Sequence, residues 1–157
     1  MPNNHISRTS TITLNDSPDK ILPLFTAYGE TLWITGWNPD YVYSEDGEAK
    51  TNSVWKTQHD ENDPETIWVT INYDTETYTV IYINVTPDNR VTRIDIQCDA
   101  VEDGKTAVQI PYTITALGEK GLHYIKQLTQ EHYDNWMQHS WKMAINYYLQ
   151  HGEATPH

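Results

Sequence analysis

His132 is the side chain whose spacing best suits it for chemistry. Thr129 precedes it by one turn and Trp136 follows by one turn. All three fall on the stripe Leu122, Ile125, Thr129, His132, Trp136, Ser140, Met143 and Tyr147, which repeats at steps of three and four. A buried helix in an ordinary core would carry aliphatic residues there. Thr129 and His132 instead offer a hydroxyl and an imidazole that can hold a ligand's carbonyl or hydroxyl while apolar walls bind its bulk. Imidazole also exchanges protons near neutral pH, which makes His132 the candidate catalytic residue. The plainer reading of the same residue is a core histidine bonded to a tyrosine hydroxyl.

Aromatic residues supply the walls. The chain has six Trp and eleven Tyr but one Phe, a bias toward large apolar bodies with a polar tip that needs a partner when buried. Trp33, Trp37 and Tyr41 flank two short helices and would form either an aromatic gate or a staple. Trp55, Trp68, Tyr78, Tyr82 and Tyr112 lie on strands where alternation permits half of them to point inward. Tyr112 has the best claim because Ile110 and Ile114 share its face, and Trp68 the weakest because Ile67, Val69 and Ile71 alternate against it.

Other chemistries lack their signatures. His132 and His139 lie seven residues apart, ~10 Å along a helix, too far to share one metal. No HExxH, CxxC, GxSxG, Walker or GxGxxG pattern occurs. The run His59-Asp60-Glu61-Asn62-Asp63 lacks the oxygen spacing of a calcium loop and reads as a solvated turn. Cys98 reads as a packed small hydrophobe. Neither a metal nor a cofactor is expected.

The elements that would position these residues fall into two regimes. From His5 to Ala116 the period is two, and from Glu119 to Gly152 it is helical. His5 to Leu14 reads as a strand. Ser17, Pro18 and Asp19 open a short helix that Pro23 should end or kink. A second short helix is expected through Glu30 to Ile34. Strands follow at Tyr41–Ser44, Ser53–His59, Thr66–Tyr73, Tyr78–Val85, Val91–Cys98 and Lys105–Ala116, with short turns that favour an antiparallel meander. Val108, Ile110, Tyr112 and Ile114 share one face of the last strand, and Ile94, Ile96 and Cys98 one face of the strand before it. One unbroken helix of ~30 residues should then cover that face.

Composition bounds the rest. At 157 residues the chain is the size of one domain, residues 1–157 with a core over about 5–151. A net charge of -12 with only ten scattered Lys and Arg argues against nucleic-acid and anionic-membrane partners. A single cysteine and an N-terminus without a basic-then-apolar leader make a cytoplasmic location the expectation.

A strand, two short helices, about six strands and a long terminal helix form the order of the START/Bet v 1-like superfamily, the helix-grip fold. Through Leu32-Trp33-Ile34-Thr35-Gly36-Trp37-Asn38-Pro39-Asp40, Val54-Trp55-Lys56-Thr57 and Trp68-Val69 the chain resembles bacterial SRPBCC proteins of the polyketide cyclase/dehydrase and lipid-transport-like group. The likeness runs from about Ser10 to Leu149. It implies an α+β fold whose curved antiparallel sheet of six to seven strands wraps a C-terminal helix around a cavity for hydrophobic molecules. Members of the superfamily bind hormones or lipids, cyclise polyketides, or act on protein partners such as the Hsp90 chaperone, without an invariant catalytic set. Three functions therefore stand open. The first is a binding domain for a hydrophobic or aromatic ligand, with Trp33, Trp37, Trp55, Tyr82, Tyr112, Thr129, His132, Trp136 and Met143 as its contacts. The second is a metal-free cyclase/dehydrase-like enzyme using His132. The third is an interaction or chaperone co-factor module whose cavity is filled.

Overall fold

The computed structural model describes residues 3–45, 47–58 and 61–156. Seven strands carry the architecture: β1 (His5–Leu14), β2 (Asp40–Tyr43), β3 (Val54–Thr57), β4 (Thr66–Asp74), β5 (Thr79–Thr86), β6 (Arg90–Val101) and β7 (Lys105–Ala116). They form one antiparallel sheet in the order β1-β7-β6-β5-β4-β3-β2, a meander that β1 joins beside β7. The period-two faces hold. Val108, Ile110, Ile114, Ile94, Ile96 and Cys98 are buried, with Ile12 and Leu14 of β1 alongside.

Between β1 and β2 lie α1 (Pro18–Ile21), a 3-10 turn (Leu22–Phe25) and α2 (Ala27–Glu30). Pro23 has no amide to continue α1, and the chain tightens to 3-10 there. The second helix starts earlier than its sequence suggested, because the Thr26 hydroxyl accepts from the Gly29 amide at 2.9 Å and sets the N-cap.

The terminal helix is not one rod. It runs as α3 (Glu119–Gln127), breaks at Leu128 and Thr129, and resumes as α4 (Gln130–Trp136), a π turn (Met137–Trp141) and α5 (Lys142–His151). The resumed part, Gln130 to His151, spans 22 residues and ends as expected on a left-handed Gly152 with φ 74°. At the break Leu128 leaves helical geometry with ψ 67°, and Thr129 becomes an N-cap whose hydroxyl accepts from the His132 amide at 3.1 Å. The restart shifts the helical phase. The buried line is Tyr133, Met137, Trp141 and Ile145, spaced by four. Four α-helical residues overshoot a full turn by roughly 40°, so such a line would drift off the sheet. The wider π turn absorbs part of that drift and keeps Trp141 and Ile145 over the core.

The same segment closes a sheet edge. The outer carbonyls of β1 accept from the helix: Thr9 from Gln130 at 3.0 Å and Thr11 from Gln138 at 2.9 Å. Arg8 reaches back to the Leu128 carbonyl at 2.9 Å. Edge groups that could otherwise pair with another chain are thereby satisfied.

Candidate functional site

The site is assembled at the end of the sheet where the two short helices dock. Close backbone packing aims the first residue. A Cβ on Gly29 would lie 1.8 Å from the Pro23 carbonyl oxygen, so only glycine lets α2 approach the preceding turn this closely. Two indoles pin the pair from outside the helices, Trp33 Nε1 donating to the Leu24 carbonyl at 2.8 Å and Trp37 Nε1 to the Ala27 carbonyl at 3.0 Å. The last residue of α2, Glu30, is thereby turned into the core and is 4% exposed.

Across from it the concave face of β3, β4 and β5 presents an aromatic group. Trp55 sits opposite Trp68 in the β3–β4 register, and the two indoles stack at 5.7 Å with 8° between their planes. Tyr82 meets their edges at 6.2 and 5.6 Å, and Trp37 closes on Trp68 at 5.8 Å. Trp68 therefore faces inward, contrary to its alternation pattern, and Ile67 and Ile71 are the residues left exposed. Cross-strand stacking on Trp55 outweighs the burial of two aliphatic side chains at this outer part of the sheet.

A second aromatic group fills the space beneath the helix. Tyr112, Tyr133, Trp136 and Trp141 pack edge to face, and Phe25 and Trp33 join Trp141 at 5.9 and 5.5 Å. The Tyr133 hydroxyl donates to the Ile110 carbonyl. Rings thus stand where a roomy cavity between sheet and helix was expected. An opening of about 20 Å³ lies nearer the short helices, under residues 47–50, against Phe25, Tyr41, Ser53, Trp55, Thr70 and Val80. That is room for about one water molecule.

Polar groups in this apolar setting are few and incompletely paired. Burial pushes the Glu30 carboxyl up to about 8, tempered by the Tyr82 phenol beside it. Tyr82 lies beside that carboxyl and its phenol bears on the carboxyl's titration, while Trp55 Nε1 has no hydrogen-bond partner among the described residues. Among the described residues no Lys, Arg or His pairs with Glu30. Burial raises the Tyr82 and Tyr112 phenols as well, and lifts the Cys98 thiol to about 12, which leaves it inert.

The structure divides the residues singled out from the sequence. Trp33, Trp55, Tyr82 and Tyr112 are buried, and Trp37 and Trp136 half-buried. Trp33 and Trp37 act as staples, their indole N–H groups already occupied. Thr129 and His132 face outward, because the break at Leu128 rotates the following turns away from the expected phase. An exposed imidazole cannot serve an interior ligand, so the enzyme reading built on His132 loses its residue. Met143 is 61% exposed and lines an open groove of about 500 Å³ between the end of β1 and α5. Glu30 and Trp68 were missed. The only hint of Glu30 was its place three residues after Ala27 and three before Trp33, on one side of a short helical stretch.

No group of three or more His, Cys, Asp or Glu able to hold a metal occurs among the described residues. His59 and Asp60 of the acidic turn lie outside them. No described helix is long and apolar enough to cross a membrane.

No family model and no curated protein matches the chain. Solved structures do match over nearly its whole length. Norcoclaurine synthase from Thalictrum flavum, in complex with dopamine and hydroxybenzaldehyde, aligns at TM-score 0.68 and 9% identity over 96% of this chain and 90% of that one. Ara h 8.0201 aligns at TM-score 0.64 and 18% identity, covering 93% and 98%. The ZhuI aromatase/cyclase from Streptomyces sp. R1128 aligns at TM-score 0.65 and 8% identity, covering 96% and 99%. At such identities the common property is the path of the chain.

Proposed function

We propose that this chain, which has the Bet v 1-like helix-grip fold shared with SRPBCC and START-like proteins, binds a small aromatic molecule at the Glu30, Trp55, Trp68 and Tyr82 cluster. One observation carries the reading. The Glu30 carboxyl and the Tyr82 phenol lie side by side in an aromatic interior, and the indole of Trp55, whose N–H has no partner among the described residues, packs 6.2 Å from the Tyr82 ring. Leaving a buried polar group unpaired costs roughly 1–3 kcal/mol, and a ligand is one source of the missing partner. A same-fold protein described with dopamine and hydroxybenzaldehyde is a precedent for small aromatics in this architecture.

Entry would be by the segment 47–53. It forms the outer wall of the small opening, and the strands it joins pair over three residues with a register shift between Tyr41 and Tyr43. Such a thinly bonded edge opens at less free energy than the central strands. Trp55 is the member of the cluster that lines this opening.

The test is native mass spectrometry of protein purified from its own host, followed by thermal shift with small aromatics. A co-purifying small molecule, or stabilisation that is lost in Trp55→Ala and kept in His132→Ala, supports the reading. Stabilisation lost equally in both variants, or by no compound at all, refutes it. A second reading, an interaction module with a filled interior, draws on Ile67 and Ile71, which stand exposed on the outer face of β4. A protein partner captured in place of a small molecule, and released by Ile71→Lys, would favour it.

A further inference from the structure

The outer face of the sheet, on the side away from Trp55, Trp68 and Tyr82, is divided in two. On β1 and β7 it is polar: Thr9, Thr11 and Gln109 are exposed, and Thr113 and Thr115 partly so. On β3 to β6 it is aliphatic. Val54, Val69 and Ile83 form one cross-strand row, and Ile67, Val85 and Val91 the next. Ile81 begins a third row, with Ile71 beside it at the bulge. Their strand neighbours Trp55, Tyr82 and Thr92 are buried and Trp68 stacks on Trp55, so alternation turns these aliphatic side chains outward. Ile67 is 39% and Ile71 41% exposed, and the others are partly exposed. Strand propensity does not account for them, because Thr is also favoured in strands and fills the same positions on β1 and β7. A contiguous apolar patch of this kind marks an interaction surface.

Charge decides what covers it. Lys56 Nζ lies 3.5 Å from a Glu65 carboxylate oxygen at the β3 flank, and Arg93 Nε lies 3.0 Å from one of Asp95 at the β6 flank. Each pair carries one charge of each sign, so these flanks are neutral on a chain of net charge -12. A basic partner finds no excess acid in those pairs, and an anionic membrane is repelled by the molecule as a whole. A second copy brings the same aliphatic rows between the same paired flanks. Two sheets pack face to face about 10 Å apart through such side chains.

We propose that this chain forms a two-fold dimer in which the outer face of β3 to β6 packs on the same face of a second copy. The ligand reading is independent of it, since Trp55, Trp68 and Tyr82 occupy the other side of the sheet. Area sets the strength of the contact. Four strands at ~4.8 Å and five residues at ~3.3 Å cover roughly 19 by 17 Å, which is the centre of an interface and less than the ~800 Å² per partner of a stable complex. The dimer is therefore weak, half-formed at roughly ten micromolar chain. Salt strengthens it by screening the like net charges of the two copies.

Sedimentation equilibrium of the whole chain from about 1 to 200 μM tests this. The expected mass rises with concentration from 18.2 kDa toward twice that value, and the dissociation constant falls severalfold from low to high salt. Ile67→Lys sets a charge within each copy's half of the contact and weakens the dimer by about 100-fold or more. Gln109→Lys adds the same charge on the polar half of the same face and leaves the dimer intact. Val69→Thr, nearly the same shape, weakens it by about tenfold and serves if Ile67→Lys does not fold. A mass that stays at 18.2 kDa throughout overturns the proposal. So does a dimer that salt weakens, or one that Ile67→Lys and Gln109→Lys affect equally. A monomer that sediments with phosphatidylcholine vesicles, or that holds a different protein by this face, overturns it as well.

Discussion

Replacing Glu30 by Gln should remove a pH dependence from the stability of the protein, independently of any ligand. In the unfolded chain this carboxyl titrates near its ordinary value of 4.5, and in the folded protein burial raises it to about 8. Between those values the folded state holds a proton that the unfolded state has lost. Stability therefore falls as pH rises through that window, with a slope of ~1.4 kcal/mol per unit, and is flat on either side of it. From pH 5 to pH 8 the accumulated loss is roughly 3 kcal/mol. Gln has nearly the same shape and no ionisation, so the variant lacks this slope, while every other titrating group is common to both proteins and cancels in their difference.

Urea unfolding of both proteins at pH 5, 6, 7 and 8 measures the effect. The two should lie close together at pH 5. By pH 8 the variant should be the more stable by roughly 3 kcal/mol, equivalent to about 6–12 °C in melting temperature for a domain of this size. A constant difference across the series would refute the reasoning. It would mean that Glu30 is ionised in the folded state, that water reaches it, and that its burial beside Tyr82 is wrong.

Further substitutions test the surrounding geometry. Trp33 and Trp55 are both buried, but only Trp33 has a bonded N–H; Trp33→Phe should cost roughly 1–2 kcal/mol more than Trp55→Phe in thermal unfolding, because it strands the Leu24 carbonyl. Thr129→Ala should lower stability by about 1 kcal/mol through loss of the N-cap to His132. His132→Ala, at an exposed position, should leave urea unfolding within about 0.5 kcal/mol of the parent.

The strands were legible from the sequence because each of their faces is decided locally. Ile110, Tyr112 and Ile114 alternate with polar residues, and a period of two cannot shift without exposing all three. Helical phase is less protected. Choosing Thr129, His132 and Trp136 as the inward stripe assumed one uninterrupted rod, whereas a single residue leaving helical geometry at Leu128 resets the phase of everything after it. The line Tyr133, Met137, Trp141 and Ile145 was visible as a spacing of four, but its drift spoke against it until a π turn was known to correct it.

Glu30 was hidden for a different reason. An acidic residue in a short helix belongs at the surface by every local criterion. Its burial is imposed by a close approach at Gly29, two residues and one backbone contact away from any pattern. The polar stripe and the buried acid thus exchanged places. The groups that looked chemical by spacing face water, and the group that looked solvated is buried beside the Tyr82 phenol. In this chain the tight contact at Gly29, and not the spacing along the terminal helix, decides which ionisable side chain is turned inward.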